Sequence, residues 1–227
     1  MNKLNHVAFI MDGNGRWGKK KRKSRNLGHF AGVNTVKKIV DASIKFQIPI
    51  VTFYVFSTEN WKRPRNEIKY LFSLIESFFK KEINNVIKNK IKIKIIGERK
   101  YLPKKLVEIL NNAELKTKKN RGILVNLALN YGSKYEILRS LKRLKNKKNI
   151  NQKDISNNLY TKNIPDPEIL IRTGGKKRLS NFMLWQLAYS ELYFVKKLWP
   201  DFNKNDLMSI LKDYKKLKEF WWDLIYE

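Results

Sequence analysis

Residues 11–17, Met-Asp-Gly-Asn-Gly-Arg-Trp, place an acid, paired glycines and an arginine directly after the apolar run 7–11. Glycine lets backbone N–H groups turn toward an anion, Arg16 can fork onto phosphate oxygens, and Asp12 can hold a divalent cation that the phosphate also ligates. Such a segment suits a pyrophosphate. It also fits a surface turn, because Asp-Gly and Asn-Gly are ordinary turn dipeptides. The glycine spacing is not that of a dinucleotide fingerprint, and no Gly-Lys-Ser/Thr follows to make a nucleotide phosphate loop.

Two further segments carry comparable chemistry. Ser57-Thr58-Glu59-Asn60-Trp61-Lys62-Arg63-Pro64 is dense in donors and acceptors, and fits either a binding loop or the capped start of a helix. Ile171-Arg172-Thr173-Gly174-Gly175, then Arg178-Leu179-Ser180-Asn181-Phe182, forms a second anion cradle or a basic surface loop, with Lys176 and Lys177 adding charge. A pair of cradles, one beginning with an acid, suggests an enzyme for phosphorylated substrates. Glu191 is either a second carboxylate for magnesium or an ordinary surface residue. His6 and His29 are the only histidines, and neither has a partner at zinc-ligand spacing. His6 is expected to cap or flank the first strand. His29 follows Arg25 and Gly28 at an expected helix start, where anions are favoured.

The elements that must position these residues alternate. Strands are predicted at 6–11, 50–56, 91–96, 123–129, 168–171 and 192–195, and helices at 31–46, 66–87, 103–119, 134–144 and from 203 onward, with a short one at 154–159. This order implies an α/β fold: a central, mostly parallel six-stranded sheet flanked by helices, forming one domain over residues 1–227. The three chemical segments follow strands 1, 2 and 5, so they should converge at the strands' carboxyl ends. The helix from Asn66 is apolar around more of its circumference than one core-facing stripe needs. It is a deeply buried helix, a dimer face or the wall of a lipid tunnel. The polar stretch 145–153 reads as a mobile loop or a solvated connection.

The formal charge of +29 over 227 residues invites a nucleic-acid reading. Lysine is spread along the chain, however, with one compact cluster at 19–23, and no finger or RNP-like motif accompanies it. We therefore expect no nucleic-acid partner; a basic face serves anionic lipids or polyanionic substrates equally well. There is no cysteine, which rules out disulfides and thiolate chemistry. No apolar run is long enough for a membrane span or a signal peptide, so a cytoplasmic protein, peripheral at most to the inner membrane face, is expected.

Taken together, residues 6–17, Arg25 with Gly28-His29, 53–63, Asn130-Tyr131-Gly132, 171–175, 178–194 and Trp199-Pro200-Asp201-Phe202 closely resemble the cis-prenyltransferase family, typified by undecaprenyl pyrophosphate synthase. The resemblance implies a homodimer with an apolar tunnel. It would condense an allylic pyrophosphate, usually farnesyl pyrophosphate, with successive isopentenyl pyrophosphates into a long Z-polyprenyl pyrophosphate, the lipid carrier for cell-wall glycans. It makes Asp12 the catalytic, magnesium-linked acid and Glu191 a further magnesium ligand. It assigns Gly13, Asn14, Gly15, Arg16, Trp17, Arg25 and His29 to the allylic pyrophosphate. Ser57, Thr58, Glu59, catalytic Asn60, Trp61 and Arg63 would shape the reacting site, and Arg172, Arg178, Leu179 and Ser180 the isopentenyl site. The helices from Ala31 and Asn66 would flank the tunnel. The family often makes the residue at Asn60 a proton acceptor; a neutral amide is a poor base, so we expect Asn60 to orient groups instead. Two departures stand out. Lys176 replaces the common acid after the paired glycines, and the usual arginine-rich C-terminal ending is absent: the chain closes with Lys218-Glu219-Phe220-Trp221-Trp222-Asp223 followed by four residues.

Overall fold

The computed structural model describes residues 4–226, and the side chains of all of these except 22 and 219–226. Its strands are β1 (His6–Ile10), β2 (Ile50–Ser57), β3 (Lys92–Ile96), β4 (Leu124–Tyr131), β5 (Ile169–Arg172) and β6 (Glu191–Phe194). The helices are α1 (Asn14–Arg22), α2 (Arg25–Lys45), α3 (Arg65–Lys88), α4 (Lys104–Thr117), α5 (Ser133–Arg143), α6 (Gln152–Ser156) and α7 (Lys204–Tyr226), with short 3-10 turns at Thr58–Lys62 and Trp199–Asp201.

The six strands form one sheet in the order β3-β4-β2-β1-β5-β6, and every pairing is parallel. β1 explains why: all five of its residues are buried, as a parallel strand covered on both faces requires. Val7 and Phe9 join the larger core with α2, α3, α4 and α7, while Ala8 and Ile10 face Tyr131, Phe182 and Met183 on the other side. The chain runs from β1 to β2 on one side and later returns to β5 on the other. The sheet's switch point therefore lies between β1 and β5, where ligands of open α/β sheets bind.

The strands appear where expected, to within two residues at their ends. Two helical features differ. α1 falls on residues expected to form a phosphate loop, and α2 starts at Arg25 rather than near Ala31. Both follow from close helix contact that glycine permits. A Cβ on Gly28 would lie 1.9 Å from the Asn14 carbonyl oxygen, so only glycine lets α2 lie against α1 there. The short helix expected at 154–159 is α6, which starts two residues earlier, at Gln152, because Asn151 and Asp154 form a reciprocal capping box. His6 lies inside β1 and is fully buried, rather than capping it: its Nδ1 bonds the Pro165 carbonyl at 2.7 Å and its Nε2 the Thr52 hydroxyl at 2.6 Å. The side chains of Trp221 and Trp222 lie outside the described residues. No described helix is long and apolar enough to cross a membrane.

Candidate active site

β1 ends in a turn rather than a wide loop. Gly13 takes φ +112°, in the region that favours glycine, and a Cβ there would meet Leu198 Cδ2 at 2.8 Å. The first turn of α1 begins immediately, so its free backbone N–H groups and helix dipole face the mouth of the crevice. The Asp12 carbonyl accepts the Thr173 hydroxyl at 2.8 Å and the Trp199 N–H at 3.1 Å, which ties β1's end to β5 and to the Trp199–Asp201 turn. Trp199 is itself locked, fully buried, with its indole N–H on the Gly32 carbonyl at 2.9 Å.

The Asp12 side chain, 29% exposed, holds one arginine on each oxygen: Arg16 on Oδ1 at 3.1 Å and Arg172 on Oδ2 at 3.0 Å. Arg172 also donates to the Ser180 hydroxyl at 2.8 Å and to the Arg178 carbonyl, so the loop after β5 is folded back over its own strand. Arg172 Nε is buried with no hydrogen-bond partner. That leaves donor capacity for an anion in the crevice.

Across the mouth, Glu67 in the first turn of α3 is a second hub. It receives Arg25 through Nε and Nη2 at 3.0 and 3.1 Å, Arg63 at 3.1 Å and His29 Nε2 at 3.1 Å. Burial pushes the Glu67 carboxyl up, but bonds from Arg25 and His29 and the charges of Arg25 and Arg63 outweigh it and hold the group below its ordinary value. Burial lowers His29, against the bond and charge of Glu67, which raise it. Burial also lowers Arg63, and Arg25's positive charge adds to this. An incoming anion would relieve that pressure. His29 therefore sits a full turn inside α2, bound to a carboxylate, rather than at a helix start.

These groups ring a cavity of about 770 Å³, within the range of small-molecule sites. Asp12, Gly13, Asn14, Gly15, Arg16, Arg25, His29, Ser57, Glu59, Asn60, Arg63, Arg172, Arg178 and Ser180 all line it. Its polar rim carries five arginines, Arg16, Arg25, Arg63, Arg172 and Arg178, against the carboxylates of Asp12 and Glu59. Its depth is apolar, walled by α2 and α3 through Val33, Val36, Leu71, Leu74, Ile75 and Phe78, with Ile95 and Leu127 from the sheet. The surplus apolar face of α3 is accounted for by this wall. Asn60 accepts the Ser57 N–H at 3.2 Å in a capping box, so the segment after β2 is both a helix cap and a cavity wall. Irregular pairing of β2 with β4 around Tyr54–Ser57 turns that segment toward the crevice.

Some expected site residues stand elsewhere. Trp17 does not line the cavity; its indole N–H bonds Asp201 at 2.7 Å. Trp61 packs on Phe56 and Phe72 and donates to Asn130 at 2.8 Å. Thr58 lies against Gly132, and Leu179 packs in the core on the other face of the sheet. Glu191, exposed at the start of β6, pairs with Ile169, which pairs with Val7. Asp12 lies five residues beyond Val7, on the order of 15 Å along the strand direction. Within one chain, Glu191 and Asp12 therefore stand at opposite ends of their strands. No three His, Asp or Glu side chains cluster as metal ligands among the described residues. A lone accessible carboxylate does fit magnesium, which takes few protein carboxylates and fills its shell with phosphate and water oxygens. Glu67 escaped sequence reasoning, although its i,i+4 spacing from Arg63 was a usable signal. Asn181, part of the second expected cradle, lines the cavity and donates to Glu59 at 2.8 Å.

The chain matches, over residues 10–220, the prenyltransferase family model of undecaprenyl diphosphate synthase. Among curated relatives, the isoprenyl transferase of Treponema denticola is 46% identical over 215 residues, covering 94% of this chain and 95% of the relative. That of Clostridium tetani is 44% identical, covering 92% and 86%. Lavandulyl diphosphate synthase from Lavandula x intermedia, solved in complex with dimethylallyl diphosphate, superposes with a TM-score of 0.89 at 32% identity, over 92% of this chain and 94% of that one. A probable undecaprenyl diphosphate synthase from Campylobacter jejuni superposes with a TM-score of 0.80 at 35% identity, over 95% and 96%.

Proposed function

The chain belongs to the undecaprenyl diphosphate synthase family of prenyltransferases, and from that premise we propose a specific reaction. It condenses an allylic pyrophosphate, farnesyl pyrophosphate in our reading, with successive isopentenyl pyrophosphates. The product is a long Z-polyprenyl pyrophosphate, the undecaprenyl carrier of cell-wall glycan assembly. The observation that carries this reading is an arginine-ringed mouth opening directly into an apolar cavity between α2, α3 and the sheet. Charged and greasy ends of one substrate class are matched in one continuous space.

In this account Arg16, Arg25 and the N–H groups of α1's first turn bind the allylic pyrophosphate, and Arg172, Arg178 and Ser180 bind isopentenyl pyrophosphate. The allylic C–O bond breaks with its electron pair leaving on pyrophosphate, and the arginines stabilise that charge. The terminal carbon of the isopentenyl double bond then bonds to the allylic carbon, and the adjacent methylene gives up a proton. Asn60 orients the reacting groups, and a pyrophosphate oxygen takes the proton. The apolar wall keeps water from the developing cation and receives the growing chain. Asp12 would hold a magnesium ion together with pyrophosphate and water oxygens, and the ion would supply further neutralisation of the departing charge.

We also read the active form as a homodimer, which the exposed Tyr189, Leu192 and Leu138 support, and its product as passing to a membrane. Incubation with farnesyl pyrophosphate, labelled isopentenyl pyrophosphate and Mg²⁺, with products sized by chromatography, tests the reaction. A ladder ending in one long polyprenyl product is expected. No product with any allylic primer would instead point to a binding subunit that needs a partner chain.

A further inference from the structure

The end of the molecule that carries the cavity mouth also carries a cluster of exposed lysines with two exposed apolar side chains beside it. α1 leaves the mouth at Asn14, and α2 descends from Arg25 to the far end of the sheet, where β2 begins in register with His6. Residues 19–30 therefore stand at the mouth end. Lys19, Lys20, Lys21 and Lys23 are exposed there, and Lys176 and Lys177 are exposed on the loop that leaves β5 at the same end. None of these six side chains makes an ion pair among the described residues. In contrast, Lys37 and Lys197 are neutralised by Glu82 and Asp206. Beside the lysine cluster, in the first two turns of α2, Leu27 and Phe30 are 45% and 52% exposed.

We propose that this face docks on an anionic bilayer, with the lysines against headgroup phosphates and Leu27 and Phe30 in the interface. A nucleic acid would use the lysines alone and leave both apolar side chains in water. The lipid surface uses both, which is why it is the partner inferred. Docked this way, the cavity mouth faces the bilayer, and a long apolar product leaves without crossing water. That consequence rests on the prenyltransferase reading above, whereas docking is measured without any turnover, so either can fail alone.

The test is co-sedimentation of the whole protein with vesicles of phosphatidylglycerol and phosphatidylcholine, against phosphatidylcholine alone. Binding to the anionic vesicles only is expected. Lys19→Glu, Lys20→Glu and Lys21→Glu together should weaken it by about tenfold or more. Lys116→Glu, Lys118→Glu and Lys119→Glu, at the opposite end of the sheet where α4 closes toward β4, change net charge equally and should leave most binding intact. Leu27→Ser with Phe30→Ser, which alters no charge, should also weaken it severalfold. Equal loss from both lysine triples would overturn the proposal in favour of diffuse charge attraction. Full binding by the Leu27/Phe30 variant, with equal affinity for RNA, would overturn it in favour of a general polyanion site. Amine labelling of the unaltered protein needs no variant: vesicles should protect residues 19–23 over 116–119, and equal protection would contradict the assignment.

Discussion

Asp12 and Glu67 face each other across the mouth, and each is one carboxylate that fixes two arginines. Fixed donors stabilise developing charge without reorganising, so in the proposed reaction the acids act on the substrate through the arginines they hold. Glu67→Gln should raise KM for the allylic substrate by about tenfold or more, with a smaller change in kcat, because the charge that fixes Arg25 and Arg63 goes while the reacting carbon keeps its other contacts. Steady-state kinetics with each substrate varied in turn check this; an effect confined to kcat would contradict it. The same carboxyl, held below its ordinary value, contributes stability that is present above its unfolded value and is lost as pH falls through the lower folded one. His6 acts at milder acidity. Burial lowers it to about 4, so the folded state keeps it neutral while the unfolded chain binds a proton from about pH 6.5 downward. Stability should therefore fall as pH drops from about 6.5 to about 4, by on the order of 3 kcal/mol. Urea unfolding across that window reads it, and a flat profile would show that His6 is protonated in the fold.

At the scale of elements, the cavity's shape follows from α3, whose apolar circumference serves two surfaces. Phe79 borders both the main cavity and a smaller space of about 70 Å³ beyond it, as do Val36, Phe78 and Leu127. Phe79→Ala should join the two and shift the product distribution to longer chains, at a cost of about 3–5 kcal/mol in stability. Thin-layer sizing of the products decides it; shorter chains would show that the end of the product does not reach this wall. The strands were legible because buried parallel strands are short apolar runs bounded by polar turns, as at His6–Ile10 and Ile169–Arg172. α1 was not. Its sequence, Asn14–Arg22, is polar and holds two glycines, and it is held against α2 by contacts that local pattern cannot reveal. Asp12 and the Arg172 loop were legible because their residue types are chemically conspicuous. Glu67 looks like any glutamate of an amphipathic helix until folding brings Arg25 and His29 onto it, and how far Glu191 stands from Asp12 within one chain depends on a parallel register that no local pattern reveals.

The whole molecule combines an excess of 29 positive charges with an arginine-ringed mouth that we propose receives pyrophosphates. Transfer rates at low substrate should therefore fall as salt rises, through weaker attraction of anionic substrates, while saturated rates change little. A kcat that falls as steeply as kcat/KM would place the salt effect in the reacting site instead. The central claim is that Asp12, tied to Arg16 and Arg172, organises prenyl transfer at this mouth. The most direct test compares the unaltered protein with Asp12→Ala, each given farnesyl pyrophosphate, labelled isopentenyl pyrophosphate and Mg²⁺, with vesicle-free buffer and both proteins checked for folding by circular dichroism. The account expects long polyprenyl product from the unaltered protein and a loss of at least about a hundredfold in Asp12→Ala. Equal product from both would contradict it.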